Sequence, residues 1–147
     1  MLGPRMAGYS GTPLVQKLGI KTGSKVVIIS APRDFAETLG PLPESVTLGS
    51  ALRGKADVIV CFSKAMSDLE KRFPKLVAAL DPAGGLWVAW PKRTSGVATD
   101  LSENAIRALG LGTGLVDNKV CAIDETWSGL RFVVRLADRP AKSRSKT

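Results

Sequence analysis

Apolar positions follow two rhythms along the chain. Residues 25–29 (KVVII), 57–62 (DVIVCF) and 86–90 (LWVAW) are nearly unbroken apolar runs rich in β-branched residues. Runs of that length without polar alternation predict strands buried on both faces, as in a parallel sheet. Residues 130–136 behave differently: Leu130, Phe132, Val134 and Leu136 alternate with Arg131, Val133 and Arg135. That period of two predicts a strand with one face on the core and one in solvent. Residues 115–123 supply a further strand beside it, and 46–48 a weak one after the Gly40-Pro41-Leu42-Pro43 break.

The second rhythm is helical. Leu69, Phe73, Leu76, Val77 and Leu80 recur at helix spacing, with Pro74 as a kink and Asp81-Pro82-Ala-Gly84-Gly85 as the break into the next strand. Thr12 suits an N-cap, Pro13 the first helical position and Gly19 a C-terminal stop, so a short capping helix precedes the first strand. Asp100-Leu-Ser-Glu103 has capping-box spacing, which makes Asp100 a cap rather than a catalytic acid, for a helix running to about Gly110. Strands alternating with helices, closed by a strand with no helix before it, predict an α/β fold. The expected architecture is a single Rossmann-like three-layer domain over residues 12–136, with a mostly parallel sheet and one antiparallel strand near the C-terminus. A flexible N-terminus, 1–11, and a disordered basic tail, 137–147, are expected to flank it.

Composition narrows the function classes. The chain has 147 residues, 44% of them hydrophobic and 23% charged, which suits one ordinary domain. No apolar run approaches the roughly 20 residues needed to cross a bilayer, and the start lacks the apolar core of a secretory signal. The expectation is a cytoplasmic protein with no membrane partner. Histidine is absent, so a His-dependent triad or zinc site is excluded, and no metal is assigned. Cys61 and Cys121 sit in apolar runs and read as small buried thiols. The net charge is +8, and the tail concentrates Arg139, Lys142, Arg144 and Lys146 against Asp138. Weak nonspecific nucleic-acid contact through 137–147 is one use of such a tail; plain solubility is the blander one.

The element order resembles a trimmed S-adenosylmethionine (SAM) methyltransferase fold. Residues 18–29 (LGIKTGSKVVII) resemble the run into its first strand, 80–90 (LDPAGGLWVAW) its central strand, and 115–136 its closing pair. Arg53-Gly54-Lys55 follows residue 29 so closely that the second and third strands of that fold must be shortened or missing. Gly8-Tyr9-Ser10-Gly11-Thr12-Pro13-Leu14, Trp87-Val-Ala-Trp90-Pro91-Lys92 and the segment 115–130 resemble an uncharacterised bacterial family, domain of unknown function 3052, over roughly residues 7–136. That family brings no established activity. The methyltransferase resemblance implies SAM as cofactor, but Ser30-Ala31-Pro32-Arg33-Asp34 stands where a glycine-rich loop is expected. Pro32 offers no N–H, and no acidic residue closes a second strand to hold a ribose. The loop therefore argues against SAM, and the cofactor is left unknown.

Ligands of open α/β sheets bind outside the carboxyl ends of the strands, where loops and helix N-termini converge. The loops at that pole are 30–34, 63–64, 91–96 and 124–128. They place Arg33, Lys64, Lys92 and Arg93 opposite Asp124 and Glu125, with Trp90 and Trp127 available to cover a planar group. A cationic cluster there suits a phosphate or carboxylate ligand; solvated loop charges are the equal alternative. Trp127 should either plug the core or meet a partner. Gly110-Leu-Gly112-Thr-Gly114 follows a helix and precedes a strand, so it reads as a stop and turn rather than a phosphate loop. Asp117, Lys119 and Cys121 alternate onto one strand face, as an acid, amine and thiol set or, preferably, a structural salt bridge on an edge strand.

Three functions follow in order. The first is a noncatalytic or weakly catalytic module binding a small anionic ligand at this pole. The second is a divergent methyltransferase, or another transferase using Asp124 or Glu125 as base. The third is nucleic-acid association through the tail. A homodimer through the alternating edge strand is a possible partner arrangement.

Overall fold

The β-branched run Lys25–Ile29 forms β1 at the centre of one half of a six-stranded sheet with the order β2-β1-β3-β4-β6-β5. The structure, a computed structural model, describes residues 12–139; the segment 1–11 and the tail residues 140–147 lie outside the described residues. In chain order the elements are α1 (Leu14–Lys17), β1, α2 (Phe35–Leu39), β2 (Thr47–Gly49), β3 (Ala56–Phe62), α3 (Met66–Ala79), β4 (Leu80–Pro91), α4 (Glu103–Gly112), β5 (Leu115–Ala122) and β6 (Trp127–Val134). β2, β1, β3 and β4 pair in parallel, whereas β6 runs antiparallel to both β4 and β5. β6 is the expected reversed strand. The early part of the sheet is trimmed as expected, β2 being a three-residue edge strand.

Two apolar layers sandwich the sheet, which is why its central runs show no alternation. Val27, Ile59, Cys61, Leu86, Val88 and Trp90 pack with Leu69, Phe73 and Leu76 of α3 and Ile106 of α4. Val26, Ile28, Val58, Val60, Phe62 and Trp87 pack on the other side with Leu18, Ile20, Phe35 and Leu39. Trp87 is fully buried there, and its indole N–H donates to the Leu18 carbonyl at 3.1 Å. Among the described residues no helix is long and apolar enough to cross a membrane.

Several local expectations are corrected. α1 begins at Leu14 with Pro13, not Thr12, at the capping position. α3 continues through Pro74, which lies on its exposed side, so that this proline is no helix stop, as expected. The Asp81-to-Gly85 stretch does not separate helix from strand: β4 starts at Leu80, opposite Ala56, and the register shifts before pairing resumes at Val58 and Gly85. A Cβ at Gly84 would overlap the Asp57 backbone, so this irregular ladder depends on glycine. Asp100 does not cap its own helix. Ser102 caps α4 by accepting from the Ala105 N–H at 3.1 Å, while the Asp100 carboxylate accepts from the Met66 N–H at 2.8 Å and caps α3 across space. On β6 the Arg131 face is not open to water: Val133 is buried and Arg131 half-buried. Leu136, expected in the core, is 78% exposed in a 3-10 turn, Leu136–Asp138. Residues 137–139, assigned to the tail, follow the sheet closely enough for Arg139 Nε to donate to the Val134 carbonyl at 2.9 Å.

Candidate ligand cleft at the strand carboxyl ends

The loops after β1, β3 and β4 and the β5–β6 turn meet at one pole, tied by main-chain bonds. Ser63 N–H donates to the Ala89 carbonyl at 3.0 Å and Lys92 N–H to the Thr126 carbonyl at 2.7 Å. At the end of β1 the chain turns sharply through Ser30, whose φ of 59° is left-handed. A side chain there costs about 1–2 kcal/mol. The Ser30 hydroxyl accepts from Arg72 Nη1 at 2.7 Å, and Arg72 Nε pairs with Asp68 at 3.2 Å one helical turn earlier in α3. The start of α3 is fixed by the Asp100 cap and by Thr99, whose hydroxyl donates to the Lys64 carbonyl at 2.6 Å.

Two hollows flank this chain of contacts. One, about 480 Å³, is lined by Ser30, Pro32, Phe62, Ser63, Lys64, Asp68 and Trp127. The other, about 490 Å³, is lined by Ile29, Ser30, Ser50, Leu52, Arg72 and Leu76. Ser30 belongs to both, so the cleft runs from the β2 end across β1 to β3, partitioned by the Ser30–Arg72–Asp68 chain. Cys61 lies near it in β3. Burial pushes its thiol up, against the opposing pull of the Arg72 guanidinium.

The predicted residues are only partly brought together. Lys64 and Trp127 line the first hollow. Trp127 is also buried, edge-on to Phe62 at 5.0 Å, so it is a core plug with one side on the cleft. Trp90 is buried on the opposite face of the sheet: it pairs with Ser128, whereas Trp127 pairs with Pro91. The two indoles therefore cannot cover one planar group. Arg33 and Arg93 are exposed, Lys92 is half-buried, and none of the three lines either hollow. Asp124 and Glu125 border a separate cleft of about 520 Å³ beside Lys17, Asp34 and Thr38. Asp124 Oδ1 accepts from the Thr126 and Trp127 N–H groups, both at 2.8 Å, and so shapes the β5–β6 turn. Ser30, Asp68 and Arg72 went unrecognised in the sequence. Asp68 and Arg72 have the spacing of an ordinary helix-surface pair, and nothing local marks Ser30 as left-handed.

The Asp117, Lys119 and Cys121 set is also broken. The β5–β6 register shifts between Asp117 and Lys119, placing Asp117 opposite Phe132 and Lys119 opposite Arg131. One extra residue thus puts the acid and the amine on opposite faces. Asp117 pairs instead with Arg107 of α4 at 2.9 Å, and the hydrogen bonds that Arg107 donates to Glu103 and Asp117 push its pKa up. Burial pushes the Cys121 thiol up, against Lys17 and Lys119, so it is not an activated nucleophile. The Gly-x-Gly-x-Gly segment is a helix stop and turn: Thr113 and Gly114 N–H donate to the Gly110 and Leu111 carbonyls at 3.1 Å.

Neither a protein-family model nor a curated protein sequence matches the chain. Among solved structures, a SAM-dependent methyltransferase from Aquifex aeolicus aligns with a TM-score of 0.58 at 14% identity, covering 90% of this chain and 94% of that one. Magnesium protoporphyrin IX methyltransferase from Synechocystis PCC 6803, solved with bound SAM, aligns with a TM-score of 0.53 at 12% identity, covering 83% and 74%. These neighbours overturn two expectations. The noncatalytic anion-binding module is replaced as the leading reading by the methyltransferase alternative, and the missing glycine-rich loop no longer argues against SAM. The physical reason is at Ser30, which takes the left-handed turn without a glycine. What the likeness itself establishes is the fold: this chain has the Rossmann-like architecture of SAM-dependent methyltransferases.

Proposed function

We propose that the chain is a divergent methyltransferase that holds SAM across the two hollows joined at Ser30. The observation that carries this reading is the left-handed turn at the carboxyl end of β1, opening directly onto a cleft between β2 and β3. The lining fits the cofactor by chemistry. Ile29, Leu52 and Leu76 offer an apolar slot for an adenine ring. The Asp68 carboxylate, in the other hollow, suits the ammonium of the methionine end. At the end of β2 the ribose would meet the Ser50 hydroxyl rather than a carboxylate, a departure that favours weaker binding. When bound, SAM supplies an electrophilic methyl group on its sulfonium. The chain's own residues orient it and cover it, Trp127 and Phe62 forming the dry wall. The motif resemblance to domain of unknown function 3052 adds no activity to this reading.

Isothermal titration calorimetry with SAM and S-adenosylhomocysteine tests it. Saturable binding at one site per chain is expected, lost in Leu52→Trp, which fills the slot, and weakened in Asp68→Asn. Absence of saturable binding of either ligand up to millimolar concentration would overturn the proposal.

A further inference from the structure

The opposite pole of the sheet carries a second cleft that the methyltransferase reading does not use. It measures about 500 Å³ and lies where β1, β3 and β4 begin, with Lys17, Lys21, Lys119 and Arg131 on its walls. Asp57 is the one carboxylate in that lining, and its Oδ2 already accepts from the Lys25 N–H at 2.8 Å.

Arg131 is the centre of the argument. Its guanidinium lies flat against Gly85, where a Cβ would overlap it, so the backbone is shaped to seat this side chain. It makes no salt bridge among the described residues, and its nearest polar partner is Asn118 Oδ1 at 3.4 Å. Lys119 stands directly across from it on β5. Like charges opposed on neighbouring strands repel, and burial, then Arg139 nearby, push the Arg131 pKa down. The bulge in β5 creates this situation: it turns Asp117 to the far face, into its pair with Arg107, and leaves Lys119 facing Arg131 with no acid between them. A half-buried fork of N–H donors beside converging amines is the geometry that takes a phosphate group.

We propose that this cleft binds a small phosphate-bearing molecule, seated on Arg131 and Lys119 and independent of the site at the other pole. Two-dimensional amide NMR with inorganic pyrophosphate as probe tests it. Saturable shifts confined to Gly23, Gly84, Lys119 and Arg131 are expected, with affinity reduced at least about tenfold in Arg131→Gln and in Lys119→Ala, a loss of roughly 1.4 kcal/mol. The exposed control Lys71→Ala should bind as wild type. Lys119 is exposed, so that variant reports on binding even where Arg131→Gln disturbs packing. Shifts spread evenly over exposed lysines, or equal affinity in Lys119→Ala, would overturn the proposal. So would a DNA duplex binding more tightly than pyrophosphate at equal ionic strength with a steep salt dependence, which would mark a polyanion surface instead.

Discussion

Replacing Ser30 separates the two forces that shape the cleft. With φ at 59°, the residue carries a left-handed cost of about 1–2 kcal/mol that glycine does not. Glycine in turn loses about 0.5–1 kcal/mol more conformational entropy on folding. Both Ser30→Gly and Ser30→Ala delete the hydroxyl that accepts from Arg72 at 2.7 Å, so that loss cancels between them. Ser30→Gly should therefore be more stable than Ser30→Ala by roughly 0.5–1 kcal/mol, or about 1–4 °C in Tm for a domain of this size. Ser30→Val, β-branched at a left-handed position, should fall below both. Urea denaturation followed by tryptophan fluorescence measures the series, because Trp87 and Trp127 are buried in the folded chain. On the proposed function, Ser30→Gly keeps SAM binding and Ser30→Val loses it. Ser30→Ala matching or exceeding Ser30→Gly in stability would refute the left-handed turn, and with it the geometric basis for a cofactor at this strand end.

Gly110→Ala places a methyl group inside the buried Phe132 ring and should cost about 1–3 kcal/mol by overpacking, read as a lower urea midpoint. Asp100→Ala removes the cap on the Met66 N–H and should cost about 1 kcal/mol; amide exchange in the first turn of α3 should rise while that of α4, capped by Ser102, does not. The Cys61 and Cys121 thiols are both raised by burial, so the folded chain keeps their protons to higher pH than the unfolded chain. Their contribution is complete below the ordinary thiol pKa of about 8.5 and is lost as pH rises through the raised folded values. Stability measured in urea should fall across that alkaline window, with a shallower slope in Cys61→Val.

The central strands were legible because burial on both faces leaves a continuous apolar signature that no helix rule imitates at that length. Lys25–Ile29 is the clearest case, and its ends coincide with those expected. The direction of the parallel strands was legible too, and with it the pole where their carboxyl ends and following loops meet. The composition of the cleft was not. Asp100 shows why: its spacing to Glu103 satisfies a local capping rule, yet its carboxylate reaches α3 because the loop before α4 passes over that helix start. The charged loop residues misled for a related reason. Charge density identifies a surface but not which side chains converge, and Asp124 proved to be occupied with its own turn.

The two register shifts explain how one sheet presents different chemistry at its two ends. Both fall toward the start of the parallel strands: one before Gly85, the other between Asp117 and Lys119. Where the ladder is regular, between Val58 and Phe62 and from Leu86 to Pro91, side chains alternate strictly, and the cleft at the carboxyl pole sets Ile29, Phe62 and Trp127 beside Lys64 and the Asp68–Arg72 pair. Where the ladder slips, alternation inverts. Acid and amine that would share a face are separated, Asp117 goes to Arg107, and the Arg131 guanidinium is left against Gly85, where a side chain would overlap it. A glycine pair that reads in sequence as a simple helix-to-strand break thus does two jobs, admitting the Asp57 backbone on one side and the Arg131 guanidinium on the other. The opposition of Lys119 and Arg131 at the amino pole is consequently a product of backbone irregularity, not of overall composition, and a change in net charge elsewhere on the surface should leave it as it is.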